Sequence, residues 1–333
     1  MCYHVFSIQQ KVEWIHYIKN AINYDFYHTW HYHSLEKRGQ PLLFVYEEKG
    51  DFIAFPLIKR VIENSSQFDL TSAYGYVGPV SNKIDMDLSI GFINNFSTSF
   101  MDFMSVNGFI TVFSRLHPFI KQHESLGSIA QATENGRTVY MDLTISLDQQ
   151  RAQYEKRLGR QIRQLRKANY TIKEEASSSD IRTFTAMYNE NMKRLQADAS
   201  YYYSEEYFTD ILANPEAESK LITIFDGEIM ICGALVLCSK NIIRNHLSAT
   251  CASHINESPS KLLTDEISLI GRKLGLKYFH LGGGVGGKED SLFKFKAYFS
   301  PLTIKDKIWC FIADKNAYGQ LVKDLNVNST YFP

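Results

Sequence analysis

The strongest constraint on the fold is that the chain runs through one order of elements twice. In the first half, 10–38 reads as helical, with Trp14, Ile15 and Ile18 on one side. Residues 41–62 read as two strands around a Lys49-Gly50-Asp51 turn. An extended aromatic segment (72–80), a helix (86–106) and strands over 108–116 and 137–143 complete it. The second half opens with a basic helix over 150–170 and a strand over 170–176. The serines from Ser177 supply an N-cap for a helix over 181–197. A shorter helix lies near 204–213, and 219–239 is a hairpin turning at Asp226-Gly227. A strand over 241–250 leads to Ser258-Pro259, which opens a helix over 259–275. Residues 277–283 are a buried strand. Strands and helices in this order give an α+β fold, with mixed sheets flanked by helices. The 333 residues suffice for two domains of about 150 each.

Composition narrows the partners. Lys and Arg number 36 against 36 Asp and Glu, so formal net charge is zero. Such a balance gives no general attraction for nucleic acid or anionic lipid, and only a local patch can supply one. The chain holds 20 Tyr and 22 Phe. A tyrosine packs through its ring while its hydroxyl bonds a polar ligand. The five cysteines are Cys2, Cys232, Cys238, Cys251 and Cys310, with no CxxC pair, and they read as buried free thiols in a reducing compartment. No signal peptide is visible, and no run reaches the roughly 18 apolar residues of a membrane span. A cytoplasmic protein is expected. His28, His31 and His33 do not share one helix face and have no acidic or cysteine companion, so no metal site is expected.

Gly282, Gly284 and Gly287 form a GxGxxG spacing followed by Lys288. A dinucleotide cradle needs a helix beginning inside the motif and an acidic strand end about twenty residues on. A strand does precede Gly282, but 289–300 leaves no room for a second crossover, and Glu289 stands where a P-loop needs Ser or Thr. Five glycines in 282–287 read instead as a mobile turn where a substrate arrives. The alternation of 292–299 places Phe293 and Phe295 on one face of an extended segment and Lys294 and Lys296 on the other.

At this point the chain resembles the FemAB-like acyltransferases, in which a glycine-containing turn leads to a Phe-Lys pair. The segment 280–301 carries "HLGGG" and "SLFKFKAYFSP". "SAYGYVGPV" (72–80) is similar to that family's Tyr-Gly-Tyr-Gly-Gly-Pro segment, with Val77 in place of one glycine. "FSRLHP" (113–118), "RTVYMDL" (137–143) and "LGRQIRQLRKANYTI" (158–172) resemble further family segments in the same order, as does the strand–helix–strand over 246–283. The resemblance spans nearly the whole chain. It implies two tandem GNAT-like domains, expected at 1–146 and 147–333, the second carrying the acyltransferase chemistry.

Acyl transfer requires that the oxyanion be stabilised, the nucleophile lose a proton and the leaving group gain one. The resemblance implies that Lys296, beside Phe295, faces the transfer site; an ammonium there stabilises an oxyanion or protonates the leaving atom. His246, in an apolar strand, is a candidate general base or a hydrogen-bonded core residue. Tyr74 and Tyr76 are an acceptor wall or core aromatics. Arg115 can fork onto an anion or form a structural salt bridge. Arg194 precedes a tyrosine cluster including Tyr203, which could grip an anionic acceptor. For a donor, Ser258, Ser260 and Lys261 stand at the helix start where GNAT enzymes bind the pyrophosphate of acyl-CoA, but the usual glycines are missing. Arg157, Arg160, Arg163 and Lys167 form a basic stripe, either solvated or a phosphate contact.

The expected activity is therefore transfer of an acyl group from a thioester, acyl-CoA, to an amine of a sugar or peptide precursor of the cell surface, small or lipid-linked. Two alternatives stay open: a Fem-type aminoacyltransferase using aminoacyl-tRNA on a peptidoglycan precursor, and a catalytically silent glycan-binding protein.

Overall fold

The computed structural model describes residues 3–323. The strands and helices, in chain order, are β1 (Tyr3–Ser7), α1 (Lys11–Asn20), α2 (Trp30–Ser34), β2 (Gln40–Glu48), β3 (Asp51–Val61), β4 (Phe68–Thr71), β5 (Val80–Ser81), α3 (Ile90–Val106), β6 (Phe109–Arg115), α4 (His123–Leu126) and β7 (Thr133–Asp142). There follow α5 (Leu147–Ala152), α6 (Lys156–Leu165), β8 (Tyr170–Lys173), α7 (Ser178–Arg194), α8 (Glu205–Leu212), β9 (Ser219–Asp226), β10 (Ile229–Ser239) and β11 (Ile242–Thr250). The last are α9 (Ser260–Lys273), β12 (Tyr278–Gly282), α10 (Ser291–Ala297), β13 (Thr303–Ile312) and α11 (Lys315–Leu321). Contacts gather these into two compact units. One holds the described residues up to Asn135 and those from Lys305 on; the other is Gly136–Ile304.

In the first unit the strands lie in the order β1-β2-β3-β4-β6-β13, mixed in direction because β4 and β6 run parallel. The run Leu42 to Tyr46 is continuously apolar because both faces of β2 are covered. Phe44 packs with Phe55, Phe96, Phe100 and Trp309 on the α3 side, while Leu43 and Val45 pack with Trp14 and Ile18 of α1. The hairpin between β2 and β3 turns through Lys49 (φ 55°) and Gly50 (φ 84°), both left-handed, which matches the twist of the flanking strands.

In the second unit the order is β7-β12-β11-β10-β9-β8, antiparallel except for β11 and β12. Val139, Ile224, Ala234, Val236, Ile243 and Phe279 pack with Leu263, Ile267 and Ile270 of α9 on one face. Gly271 of α9 has no room for a side chain, since a Cβ would meet Leu143 and Ile243. Helix α7 lies on the other face, where Phe184 fills the space beside Gly233.

Four expectations differ from this. The helix expected over 10–38 is broken into α1, a 3-10 turn at Phe26–His28 and α2, because Asp25 caps the turn and Thr29 caps α2. The basic helix over 150–170 breaks before Lys156, where Glu155 accepts from the backbone of Arg157 and Leu158 and starts α6. The segment carrying Phe295 and Lys296 is a helix rather than an extended strand. Asp290 caps it, and Phe295 packs on Phe299 one turn later with ring centroids 5.5 Å apart. The expected division at 146/147 differs from that between the units, which falls at Asn135/Gly136 and returns the chain to the first unit at Lys305. The reason is β13, whose Ile308–Ile312 pair with Thr111–Arg115 of β6.

Among the cysteines, Cys232 and Cys238 are buried, Cys251 and Cys310 are half-buried, all four are free thiols, and Cys2 lies outside the described residues. Burial pushes the Cys232 thiol up to about 12.

Candidate active site

The parallel ladder of β11 and β12 is short. It pairs Ile242, Ile243 and Arg244 with Tyr278, Phe279 and His280, and goes no further. β12 then shifts register against β7 between His280 and Gly282. Helix α9 leaves β11 and returns to β12, so its N-terminus lies at the carboxyl ends of both strands. In α/β sheets this is where ligands bind.

Lys296 is brought to this end by α10. Its Nζ donates to the Gly283 carbonyl at 2.6 Å, and the side chain is half-buried. The glycines preceding it are needed for close approach. A Cβ on Gly283 would press on the Arg137 carbonyl, and one on Gly284 would run into the Lys288 carbonyl and the Asp290 carboxylate. Asp290 accepts from the backbone N–H of Phe293 at 2.9 Å and of Val285 at 3.0 Å, closing turn and helix into one piece. Those hydrogen bonds hold its carboxyl below the usual range. The mobile loop expected here is thus a turn packed backbone to backbone. Phe295 backs it, half-buried against the core.

His246 lies two residues beyond Arg244, the last residue of β11 that pairs with β12. His246 is 8% exposed and its Nε2 lies 3.1 Å from the Tyr207 hydroxyl. Tyr207 stacks on Tyr203 with centroids 4.1 Å apart. The backbone of Tyr203 is held by Asn189 of α7, whose amide donates to its carbonyl at 2.9 Å. His246 and Tyr203 are therefore brought together, with Tyr207 between them. Arg194, by contrast, is exposed and donates to Asn191 on its own helix.

At the start of α9, Ser258 does not cap. It sits in the left-handed region (φ 57°), and its hydroxyl donates back to the Ile255 carbonyl at 3.3 Å. The helix begins at Ser260 with no side-chain cap. Lys261 donates to Gln161 at 3.0 Å; burial first, then nearby Arg157, lowers its pKa. Two cations beside an uncapped helix start favour a negative ligand.

In the first unit, Tyr76 and Arg115 meet. The guanidinium lies 4.3 Å from the Tyr76 ring centre and forks onto Asp306, with its shorter contact at 2.6 Å. Asn135 also donates to Asp306, at 3.0 Å. Tyr74 is half-buried, and its carbonyl accepts from the Tyr32 hydroxyl at 2.9 Å. His28 and His33 are fully buried, and among the described residues no group of three His, Cys, Asp or Glu could hold a metal.

Three residues around the second-unit site were missed in the sequence. Arg244 and His280 sit opposite one another on β11 and β12, both buried, with the guanidinium donating to Nδ1 of the ring. Because arginine only donates, that nitrogen carries no proton. Asp265 of α9 is fully buried and binds Arg151 at 2.7 Å, Arg166 at 2.6 Å and the Tyr154 hydroxyl at 2.8 Å. It ties α9 to α5 and α6. Burial alone would raise its pKa, but the two arginines outweigh it and hold it low. An arginine inside the apolar run 241–250 was the one visible signal.

Residues 152–295 match the acetyltransferase (GNAT) domain family. The second unit thus carries a GNAT-type acetyltransferase domain. No curated protein matches it in sequence. Among solved structures, FemX matches with a TM-score of 0.74 at 12% identity, covering 97% of this chain and 100% of that one. The C-terminal domain of a putative lysylphosphatidylglycerol synthetase from Agrobacterium fabrum matches at 0.54 and 13% identity, over 85% and 87%. A tandem GNAT protein from the clavulanic acid biosynthesis pathway matches at 0.51 and 7% identity, over 94% and 99%. The fold is that of FemX and of tandem GNAT proteins.

Proposed function

We propose that the protein moves an acyl group from acyl-CoA to an amine of a sugar or peptide precursor of the cell surface. What supports this reading is the GNAT match over 152–295 together with Lys296 fixed on the Gly283 carbonyl just past β12 and the uncapped start of α9. The pyrophosphate of the donor would lie against Ser260 and Lys261 at the α9 N-terminus. The Lys296 ammonium is fixed on the Gly283 carbonyl. Its charge would stabilise the oxyanion of the thioester carbonyl, or its proton would go to the leaving sulfur. Tyr203 would wall the acceptor side, and in the first unit Tyr74, Tyr76 and Arg115 are the acceptor-binding candidates.

Thiol release from a series of acyl-CoAs, with glucosamine and lysyl peptides as acceptors, tests the reading. Lys296→Ala should lower kcat about 100-fold with little change in KM, since its charge matters most as charge develops. Lys296→Arg should rescue poorly, because the guanidinium does not give up its proton. Full turnover by Lys296→Ala would sink the assignment.

One observation favours a second reading. Arg157, Arg160, Arg163 and Lys167 stand exposed along and just beyond α6 and make no ion pair among the described residues. Such a stripe suits the phosphates of an aminoacyl-tRNA donor. Binding of charged tRNA that weakens steeply with salt, and falls on Arg160→Ala, would favour it over acyl-CoA. A protein that bound glycans yet turned over neither donor would be a silent binding protein.

A further inference from the structure

We infer that Tyr207 is the residue that takes the proton from the acceptor amine and hands its own hydroxyl proton to His246. This rests on the acyltransferase reading above and names a residue that reading does not.

Three features of the second unit carry it. The first is a bulge in β11. The ladder with β10 pairs Leu235 with Leu247 and Val236 with Asn245, so His246 is the extra residue between them. A bulge takes a side chain out of the regular alternation and re-aims it, and bulges gather beside active sites. The second is the contact so produced. The His246 ring is buried, while the hydroxyl it meets, 3.1 Å from Nε2, belongs to a half-buried side chain. An acceptor can therefore reach the phenol but not the imidazole. The third is that Tyr207 is held by more than that bond. Tyr203 stacks on it, and Phe208 lies edge-on at 5.7 Å. His246 follows the last β11 residue paired with β12, and β12 is the strand that leads into the Gly283 carbonyl on which Lys296 is fixed.

The step balances as follows. The amine lone pair forms the N–C bond to the thioester carbonyl, and the C–S bond breaks as the tetrahedral oxyanion collapses. The nitrogen loses its proton to the Tyr207 oxygen while the phenolic proton moves to His246 Nε2. The sulfur leaves with a proton from Lys296. Solvent later removes the proton from His246 and restores that of Lys296. Nε2 must be the unprotonated nitrogen at the start, so the neutral ring carries its hydrogen on Nδ1.

Two measurements on the full chain test this. With acetyl-CoA as donor and glucosamine or a lysyl dipeptide as acceptor, Tyr207→Phe keeps the ring stack and loses the hydroxyl. It should lower kcat about 100-fold and move KM less than about 3-fold. His246→Gln should cost a similar factor, and the double variant little more than either, because both act in one relay. Unchanged kcat in Tyr207→Phe, or losses that multiply in the double variant, would overturn the relay. The second measurement is the His246 tautomer by nitrogen NMR of the unreacted protein at about pH 8, above the ordinary histidine range. Hydrogen on Nδ1 supports the relay, and hydrogen on Nε2 overturns it. The tautomer decides even where neither probe pair turns over, an outcome that counts against the proposed donor and acceptor alone.

Discussion

Asp265 shows what one side chain can hold in place. It has no exposed surface and binds two arginines and a phenol, which come from α5, the residues just after it and the end of α6. Asp265→Asn should destabilise the protein by about 2–4 kcal/mol in urea unfolding, because removing one partner of a buried network leaves the others under-satisfied. A loss below about 0.5 kcal/mol would show that the arginines find water instead. In the first unit, burial keeps the His28 and His33 rings neutral, with pKa lowered from 6.5 to about 3 and about 4. Between those values and 6.5 the unfolded chain binds more protons than the folded one, so stability rises with pH across that window. The contribution is complete above the ordinary histidine range and is lost as pH falls toward the folded values. For His33 the loss is on the order of 3 kcal/mol. His33→Gln should flatten the dependence of unfolding free energy on pH below about 6.5, whatever it does to the level. An unchanged slope would mean the ring is protonated while folded. At this scale the sequence marks residue types well and pairings poorly. Lys296, His246 and Tyr203 stood out through motif or context. Asp265, Arg244 and His280 did not, because each takes its meaning from a partner far along the chain.

Among the elements, the turn over 282–287 and helix α10 form the part of the site where local pattern and structure disagree most. Alternation of Phe and Lys over 292–296 fits a strand, yet the chain is helical there, because Asp290 supplies a cap and Phe295 packs edge-on against Phe299 just past the helix end. Period-two and helical patterns cannot be separated over so short a run. The glycines were read as freedom to move, but what they provide is close approach. Gly136 (φ 133°) also lacks room for a Cβ, which would meet the Gly287 carbonyl. Gly284→Ala should therefore lower the melting temperature and reduce turnover together, since it pushes on Asp290 and so on the helix that carries Lys296. Gly286→Asn is the control. Gly286 is left-handed at φ 60° with open space around its Cα, and asparagine tolerates that conformation best among side-chain-bearing residues. Equal losses from the two changes would mean that the turn's backbone angles matter and its packing does not.

Over the whole molecule, most strands and helices follow from sequence pattern, because hairpins, caps and apolar runs are local signals. The path of the chain between units is not local. The sequence pattern assigns no element to residues 303–312; they form β13, and its partner is β6, about 190 residues earlier in the chain. The consequences for the first unit are concrete. Trp309 is fully buried against Phe55 and Phe100, and its indole N–H donates to the Ala130 carbonyl at 2.9 Å. Asp306, 1% exposed, is the carboxylate that holds Arg115. A fragment of residues 1–146, the domain expected from sequence, therefore lacks a core tryptophan, the partner of a half-buried arginine and the strand that pairs with β6. It should not fold alone, and should show neither a cooperative thermal transition nor protection from protease. In the full chain, Trp309→Ala should cost about 3–5 kcal/mol, the usual range for a large aromatic lost from a packed core. If the 1–146 fragment instead melts cooperatively and Trp309→Ala costs under about 1 kcal/mol, then β13 is an accessory to the first unit and the sequence-derived boundary is the better description of how this chain folds.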